Sequence, residues 1–280
     1  QLQKANASLY AQNALVHIAG TVAAAALYAI LGIGWIFIIN GVAYIGSAIS
    51  EKFITVKTKE ESDTPLTFKS MFVDMGKGFG YLFNNRGLFV FALFAVILNF
   101  FMAPLYSIGL PYLYNQVLQT DPLFYSLIGA VASVGTIIMS IIFTLIKQRD
   151  KIYRFVIIGL MVWLPLLTIQ TLLIYLVINH VISFAWFFGL SIAISLIDGM
   201  IGVFINTPVG VAFQKYVPKD MLGRVNSMLN TIVAGLMPIA IALGGIFLEY
   251  RSVIELYMIG LVGFIIAGII FLSSKSVKQL

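Results

Sequence analysis

Long apolar segments, separated by short polar ones, account for most of this chain. A helix that crosses a bilayer needs about 20 predominantly apolar residues, and only a helix satisfies all of its backbone polar groups within one such segment. The pattern therefore predicts an all-α polytopic membrane protein with eight transmembrane helices. In chain order they cover residues 8–31, 34–50, 87–110, 122–146, 154–178, 182–210, 224–248 and 253–273.

Glycine and proline predict where two of these spans turn or bend. A tight turn at residues 32–34 separates the first span from the second. Pro104 and Pro111 are expected to bend or stop the third span, because proline lacks the N–H that a helix interior uses.

The segment between the second and third spans is the most polar part of the chain. Residues 51–65 predict a flexible cytoplasmic linker. After them, large apolar side chains recur at helical spacing, which predicts an amphipathic helix lying in the membrane interface. These side chains are Phe68, Met71, Phe72, Met75, Phe79 and Leu82.

Composition and charge add an orientation. Of the residues, 60% are hydrophobic and 10% are charged, which excludes a soluble globular protein. If the first residue is cytoplasmic, all of the 17 Lys and Arg residues except Arg251 fall on the inner side. The positive-inside rule then places both termini on the cytoplasmic side of the membrane. The membrane expected is a plasma membrane, such as a bacterial inner membrane. This distribution accounts for the positive charge without a nucleic-acid partner.

The sixth span carries the leading functional candidate. Ser191, Ser195, Asp198, Gly202 and Asn206 follow one another at steps of four, three, four and four residues, so they share one helix face. A carboxylate at the middle of an apolar helix costs about 2.5 to 3.5 kcal/mol on insertion scales, and it should face protein or water rather than lipid. We predict Asp198 as a proton-coupling residue. The alternative is a buried acid that only donates or accepts a hydrogen bond to a neighbouring helix.

Further candidates come from polar and small residues at helical spacing. The predicted cavity residues are Asn99, Met102, Tyr106, Ser191, Ser195, Met200, Asn206 and Asn230. The predicted gating or helix-packing residues are Asn6, His17, Ser133, Arg224 and Asn226. Small residues from 126 to 144 form a stripe that favours a close helix contact, with a path lining as the alternative. No paired His, Cys or carboxylates occur at depth, so no catalytic residue, metal or cofactor is predicted.

A faint internal repeat suggests how the spans are grouped. LQKAN at residues 2–6 matches LGRVN at residues 222–226, and each match opens two consecutive spans. The offset equals the length of six membrane helices with a linker, which favours two parallel six-helix halves. The chain opens with QLQKANASLY and no initiator Met, so we expect a piece of a longer protein.

Four further motifs carry a family resemblance. One is PKDMLGRVNS at residues 218–227, which is preceded by Asn206-Thr207-Pro208 and Gln214, and the others are LGIGWIFIINGVAYIGSAI, LPYLYNQVL and YSLIGAVASVGT. They resemble the major facilitator superfamily, and within it the macrolide-efflux type of drug exporter. The first is similar to the entry to that family's eleventh helix, and the others resemble its sixth helix, the end of its seventh and its eighth. The expected glycine-proline pair in the fifth helix is reduced to Gly20-Thr21 followed by alanines.

The resemblance implies an alternating-access transporter built of two six-helix bundles. Residues 1–50 would be the last two helices of the N-terminal bundle, residues 51–86 the linker, and residues 87–280 the complete C-terminal bundle. The partners would then be the missing N-terminal helices, the lipid bilayer, protons and a small hydrophobic substrate.

We therefore expect proton-driven export of a bulky, largely apolar compound, with Asp198 alternating between charged and neutral forms. The alternatives are an exporter of a siderophore or a lysolipid, or a truncated remnant that does not transport.

Overall fold

The computed structural model describes residues 2–53, 68–121, 123–146, 152–274 and 276–277. These parts of the chain form an all-α protein, as the hydrophobic pattern predicts. The helices are α1 (Leu2–Glu51), α2 (Phe68–Asn84), α3 (Arg86–Val117), α4 (Leu123–Leu145), α5 (Ile152–Ile178), α6 (Phe184–Tyr216), α7 (Lys219–Tyr250) and α8 (Val253–Ser273).

Helices α3 to α8 are long and apolar enough to cross a membrane, so this is a multi-pass membrane protein. They correspond to the third to eighth predicted spans. The largest differences are at the ends of α3 and α6, which continue to Val117 and Tyr216 instead of stopping at residues 110 and 210.

The first two predicted spans fall in α1, which is divided at Gly32. Gly32 has φ of 75° and ψ of 171°, a backbone conformation that glycine adopts without strain from a Cβ atom. The division coincides with the predicted turn. Within the described part of the chain, the membrane-spanning character of the two halves is not established, so the count of eight spans stays a prediction.

Pro104 and Pro111 do not stop α3. The helix widens into π-helical turns at Leu105–Gly109 and Leu113–Val117, in which each N–H bonds to a carbonyl five residues earlier. The N–H of Leu118 accordingly donates to the carbonyl of Leu113 at 2.8 Å. Of the two predicted outcomes, a bend or a stop, the stop does not occur, because the change of hydrogen-bond register carries the helix past residues that lack an N–H.

Glycines bring α4 and α6 together backbone to backbone. A Cβ atom added to Gly135 of α4 would overlap the carbonyl of Leu196 in α6, and one added to Gly199 of α6 would overlap the carbonyl of Ala132 in α4. The hydroxyl of Thr136 donates to the carbonyl of Gly199 at 3.3 Å. The small-residue stripe of the fourth span is therefore a close helix contact in its middle part.

Helix α2 is docked on the start of α7. The guanidinium Nε of Arg224 lies 3.1 Å from the carboxylate of Asp74, and the hydroxyl of Tyr81 donates to the carbonyl of Tyr216 at 3.2 Å. A Cβ atom added to Gly78 would sit 2.9 Å from the carbonyl oxygen of Arg224. A helix is thus present where the pattern predicts one, while its amphipathic placement in the membrane interface stays a prediction. Most of the preceding linker, residues 54–67, lies outside the described residues.

Helix α1 meets the bundle through its first half. It contacts α4 and α6, with Ala7 and Ala14 buried. The amides of Asn6 and Gln214 form a reciprocal pair: Asn6 Nδ2 donates to Gln214 Oε1 at 3.1 Å, and Gln214 Nε2 donates to Asn6 Oδ1 at 3.3 Å. This pair joins α1 to the last turns of α6.

Candidate functional site: a cavity around Asp198

A cavity of about 460 Å³ lies between α3, α4, α5, α6 and α8. Its apolar surface includes Leu110, Ile128, Leu167 and Ile194. Its polar groups come from five helices and converge on the same space; they are Tyr106, Tyr125, Ser126, Gln170, Ser191, Ser195, Asp198 and Tyr257. A largely apolar pocket with a few convergent polar groups is typical of a small-molecule site.

Asp198 lies at the wall of this cavity, half-way along α6. The hydroxyl of Tyr106 donates to its Oδ2 atom at 3.1 Å. The Oδ1 atom is buried and has no hydrogen-bond partner within the structure as described. One side of the carboxylate is thus held by a neighbouring helix, and the other side remains available to a ligand, a water molecule or a proton.

Tyr106 reaches Asp198 from the first π-helical turn of α3, Leu105–Gly109. A π-helical turn changes the direction of the side chains that follow it, and such turns are frequent at functional sites. Tyr106 leaves 42% of its surface accessible, and it lines the cavity. The same turns that carry α3 past its prolines therefore also bring its tyrosine to the acid of α6.

A buried polar pair forms part of the cavity wall. Gln170 Nε2 of α5 donates to the hydroxyl oxygen of Ser191 at 3.2 Å, and both residues are buried. The hydroxyl of Ser195 instead donates to the carbonyl of Ile192 at 2.8 Å. Gln170 and Ser191 are thus fixed by each other, and they can offer their remaining donor and acceptor groups to a bound compound.

The cavity contains one strongly ionisable group. Among its lining residues, Asp198 is the single carboxylate, and none is Lys, Arg or His. In the described part of the chain, no group of three or more His, Cys, Asp or Glu residues could hold a metal ion. The lining therefore suits an apolar or cationic organic molecule better than an anion or a metal ion.

A smaller crevice of about 140 Å³ lies between α3, α5 and α6. It is lined by Asn99 and Met102 of α3, Trp163 of α5, and Asn206 and Val209 of α6, together with apolar neighbours. Asn206 is eight residues beyond Asp198, which corresponds to about 12 Å along the helix axis. The crevice and the cavity thus lie at different depths of the same bundle.

The predicted cavity residues divide between these two spaces. Tyr106, Ser191, Ser195 and Asp198 line the cavity, whereas Asn99, Met102 and Asn206 line the crevice. Met200 and Asn230 line neither. The backbone of Met200 lies at the α4 contact next to Gly135, and Asn230 is exposed on α7.

The predicted gating or packing residues take separate positions. Asn6 pairs with Gln214, and Arg224 pairs with Asp74. The hydroxyl of Ser133 donates to the carbonyl of Gly129 at 3.0 Å. Asn226 is exposed on α7, and the side chain of His17 lies outside the described residues. Their gating roles stay predictions.

Among the polar and aromatic residues that line the two spaces, Tyr125, Trp163, Gln170 and Tyr257 were not predicted. Gln170 is the one with a signal in the sequence, because an amide inside an otherwise apolar span is expensive unless it is paired. The aromatic residues carry no such signal, since an aromatic side chain on a membrane helix faces lipid as readily as it faces protein.

Known proteins share this sequence pattern and this fold. A family model described as Major Facilitator Superfamily matches residues 1–242. A solved structure described as a bacterial homologue of the iron transporter ferroportin, in an outward-facing state, superposes with a TM-score of 0.66 at 14% sequence identity. The alignment covers 98% of this chain and 64% of that chain. This likeness shows the fold. Comparison with curated proteins finds no match.

Proposed function

Because the chain belongs to the major facilitator superfamily, we propose that it acts as a secondary transporter whose transported compound occupies the cavity around Asp198. The observation that carries this proposal is the Tyr106 to Asp198 hydrogen bond of 3.1 Å at the wall of a cavity between five membrane-spanning helices. A carboxylate at that depth costs several kcal/mol on insertion scales, which favours a functional role.

The lining favours a bulky, largely apolar compound as substrate. Three tyrosines, Tyr106, Tyr125 and Tyr257, supply aromatic surface, and aromatic rings bind apolar and cationic groups alike. Gln170 and Ser191 supply directional hydrogen bonds. A macrolide-like drug, which combines a large apolar surface with an amine, fits this chemistry and the sequence resemblance described above.

Proton coupling at Asp198 is the mechanism that we propose for active transport. The neutral acid is favoured when the carboxyl group is shut away from water, and the anion is favoured when water or a cationic substrate reaches it. Alternation between the two forms can couple proton movement to substrate movement. The free Oδ1 atom supports this role, because a purely structural acid is expected to have both oxygens hydrogen-bonded.

The direction of transport and the orientation are part of the proposal. The positive-inside rule supports cytoplasmic termini in a bacterial plasma membrane, and the resemblance to drug exporters supports export. The family assignment favours a transporter over an integral-membrane enzyme.

The solved structure with the same fold is described as a homologue of an iron transporter. A metal substrate is less well supported here, because the described residues offer no cluster of three or more His, Cys, Asp or Glu. Hard or borderline divalent cations need several such ligands. A siderophore or a lysolipid remains an alternative substrate within the same class of transporter.

The proposal is tested in proteoliposomes with two probes, the lipophilic amine Hoechst 33342 and radiolabelled erythromycin. We expect an imposed pH gradient to drive movement of at least one probe by the full chain, and a protonophore to abolish it. Asp198→Asn should reduce gradient-driven flux at least tenfold, since the amide cannot exchange a proton. Asp121→Asn, which changes an exposed carboxylate outside the cavity, is the matched control.

Two results would contradict the proposal. Gradient-driven flux that is equal in the Asp198→Asn variant would remove this carboxyl group from the coupling. Absence of flux for both probes, together with flux of a siderophore or a lysolipid, would replace the substrate class and leave secondary transport standing.

A further inference from the structure

The crevice between α3, α5 and α6 contains two side-chain amides. Asn99 Nδ2 donates to the carbonyl of Ala95, and Asn206 Nδ2 donates to the carbonyl of Gly202, each at 2.8 Å. Each amide therefore donates to a carbonyl on its own helix, four residues back. Among the described residues no group donates to either Oδ1 atom, so both atoms can accept hydrogen bonds from whatever occupies the crevice.

Trp163 connects this crevice to Asp198. Its indole lines the crevice, and its Nε1 atom also faces the carboxylate of Asp198. Within the described part of the structure, Trp163 Nε1 and Asp198 Oδ1 are both buried without a hydrogen-bond partner. Unpaired polar atoms in a membrane interior are costly, and a water molecule that bonds to both groups would satisfy them.

The crevice is large enough for water but small for a drug. One water molecule needs about 10 to 15 Å³ of cavity space, so the 140 Å³ crevice has room for several. Drug-sized ligands occupy pockets of about 300 to 1,000 Å³, which the 460 Å³ cavity satisfies. The two spaces therefore suit different occupants.

The two spaces also lie toward opposite ends of the bundle. From Asp198, the crevice extends toward Asn206 and Val209, and α6 ends there at the turn that carries Lys215 and Lys219. The cavity extends the other way, toward Pro111 and Ser126 near the opposite helix ends. By the positive-inside rule the basic turn is cytoplasmic, so the crevice lies on the cytoplasmic side.

We propose that the crevice is a water-filled proton route from the cytoplasmic side to Asp198, separate from the cavity that holds the transported compound. Trp163 forms the partition between the two, and Asn99 and Asn206 hold the water. This inference rests on the proposed role of Asp198 in proton coupling. It adds that proton and substrate reach one carboxylate from two different spaces.

Among the described residues, no second carboxylate and no Lys, Arg or His lines either space. The ionisable side chains that face Asp198 are Tyr106 from α3 and Tyr257 from α8, and Tyr125 of α4 lines the same cavity. From α5 the nearest polar side chain is Trp163, which does not titrate. The route therefore serves one carboxyl group.

Water in the crevice can be detected with single cysteines, because the chain contains no native Cys. The variants are Asn206→Cys and Val209→Cys in the crevice, Ser126→Cys in the cavity and Ile158→Cys on an exposed face of α5. The membrane-impermeant reagent MTSET reacts with thiolates in water. We expect both crevice variants to react from the face with the basic turns, Ser126→Cys from the opposite face, and Ile158→Cys from neither.

The route is contradicted if both crevice variants are unreactive, or if they react only from the face that reaches Ser126→Cys. Val209→Cys removes no polar side chain, so it gives a result even if the loss of Asn206 disturbs folding. Either contradiction would leave the dye-flux experiment with Asp198→Asn unaffected, so failure of the route and failure of the proposed function are distinguishable.

Proton exchange at Asp198 gives a second readout. The infrared band of the protonated Asp198 carboxyl group is identified as the band that is lost in Asp198→Asn. After transfer to D₂O, the rate at which this band shifts measures proton exchange. Asn206→Leu should slow this exchange at least threefold, because it replaces a water-binding amide with an apolar group. Asn179→Leu is the matched control, since Asn179 makes the same 2.8 Å bond to a carbonyl four residues back but lies at the end of α5. Equal exchange rates in the two Leu variants would overturn the route.

Discussion

At the scale of single residues, the Tyr106 hydroxyl donates the one hydrogen bond that the described part of the structure gives to Asp198. A hydrogen bond to a charged group contributes about 1.5 to 3 kcal/mol. In water the same hydrogen bond would contribute little free energy, because water solvates the carboxylate fully. Its value here comes from its position between membrane-spanning helices.

Tyr106→Phe is expected to reduce gradient-driven flux of Hoechst 33342 about tenfold, because a loss of about 1.4 kcal/mol changes a rate by that factor. The ring that lines the cavity is retained, so equilibrium binding of the dye should fall less than its rate of transport. Tyr175→Phe, on an exposed part of α5, is the control. Equal losses in binding and in transport would indicate that Tyr106 serves the cavity wall and not the carboxylate.

At the scale of helices, the contact between α4 and α6 fixes the position of Asp198. Gly199 follows directly after Asp198, and its backbone lies against the carbonyl of Ala132 in α4. With the backbone of α6 held there, the side chain of the preceding residue points into the cavity between α3, α5 and α8. The glycine pair Gly135 and Gly199 thus sets the depth and the rotation of the functional face.

Gly199→Ala should therefore destabilise the bundle. An added methyl group in a backbone contact costs about 1 to 3 kcal/mol, and we expect a lower midpoint of thermal unfolding in detergent. Gly189→Ala in the same helix is the control, because a Cβ atom there meets nothing within 4 Å and alanine is the better helix former. An unchanged midpoint for Gly199→Ala would mean that α4 and α6 can separate without loss of stability.

Helix positions were predictable from the sequence, but helix partners were not. The spacing of Ser191, Ser195 and Asp198 predicted a cavity-facing stripe because all three lie on one helix. Gln170 and Trp163 join the same region from α5, and such convergence depends on packing that no local pattern encodes. The end of α3 was missed because the π-helical turns at Leu105–Gly109 and Leu113–Val117 carry the helix beyond its prolines, and the hydrophobic pattern contains no sign of such turns.

At the scale of the whole molecule, α1 is joined to the rest of the protein by its first half. Its second half, residues 34–51, is exposed apart from one partly buried position. The exposed side chains include large apolar ones such as Trp35, Phe37 and Tyr44. The sequence predicts that α1 belongs to the N-terminal bundle. The Asn6 to Gln214 amide pair would then connect the two bundles on the side with the basic turns.

In an alternating-access cycle this amide pair has to separate when the basic side opens. Two neutral hydrogen bonds contribute about 1 to 3 kcal/mol together, so Gln214→Leu should shift the population several-fold toward the open form. Alkylation of a Gly210→Cys background, next to Asn6, measures this opening from the basic side and should become at least threefold faster. Gln116→Leu, an exposed glutamine at the far end of α3, should leave the rate unchanged. Equal alkylation rates with and without Gln214→Leu would show that apolar packing holds α1 and α6 together and that the amide pair does not control the opening.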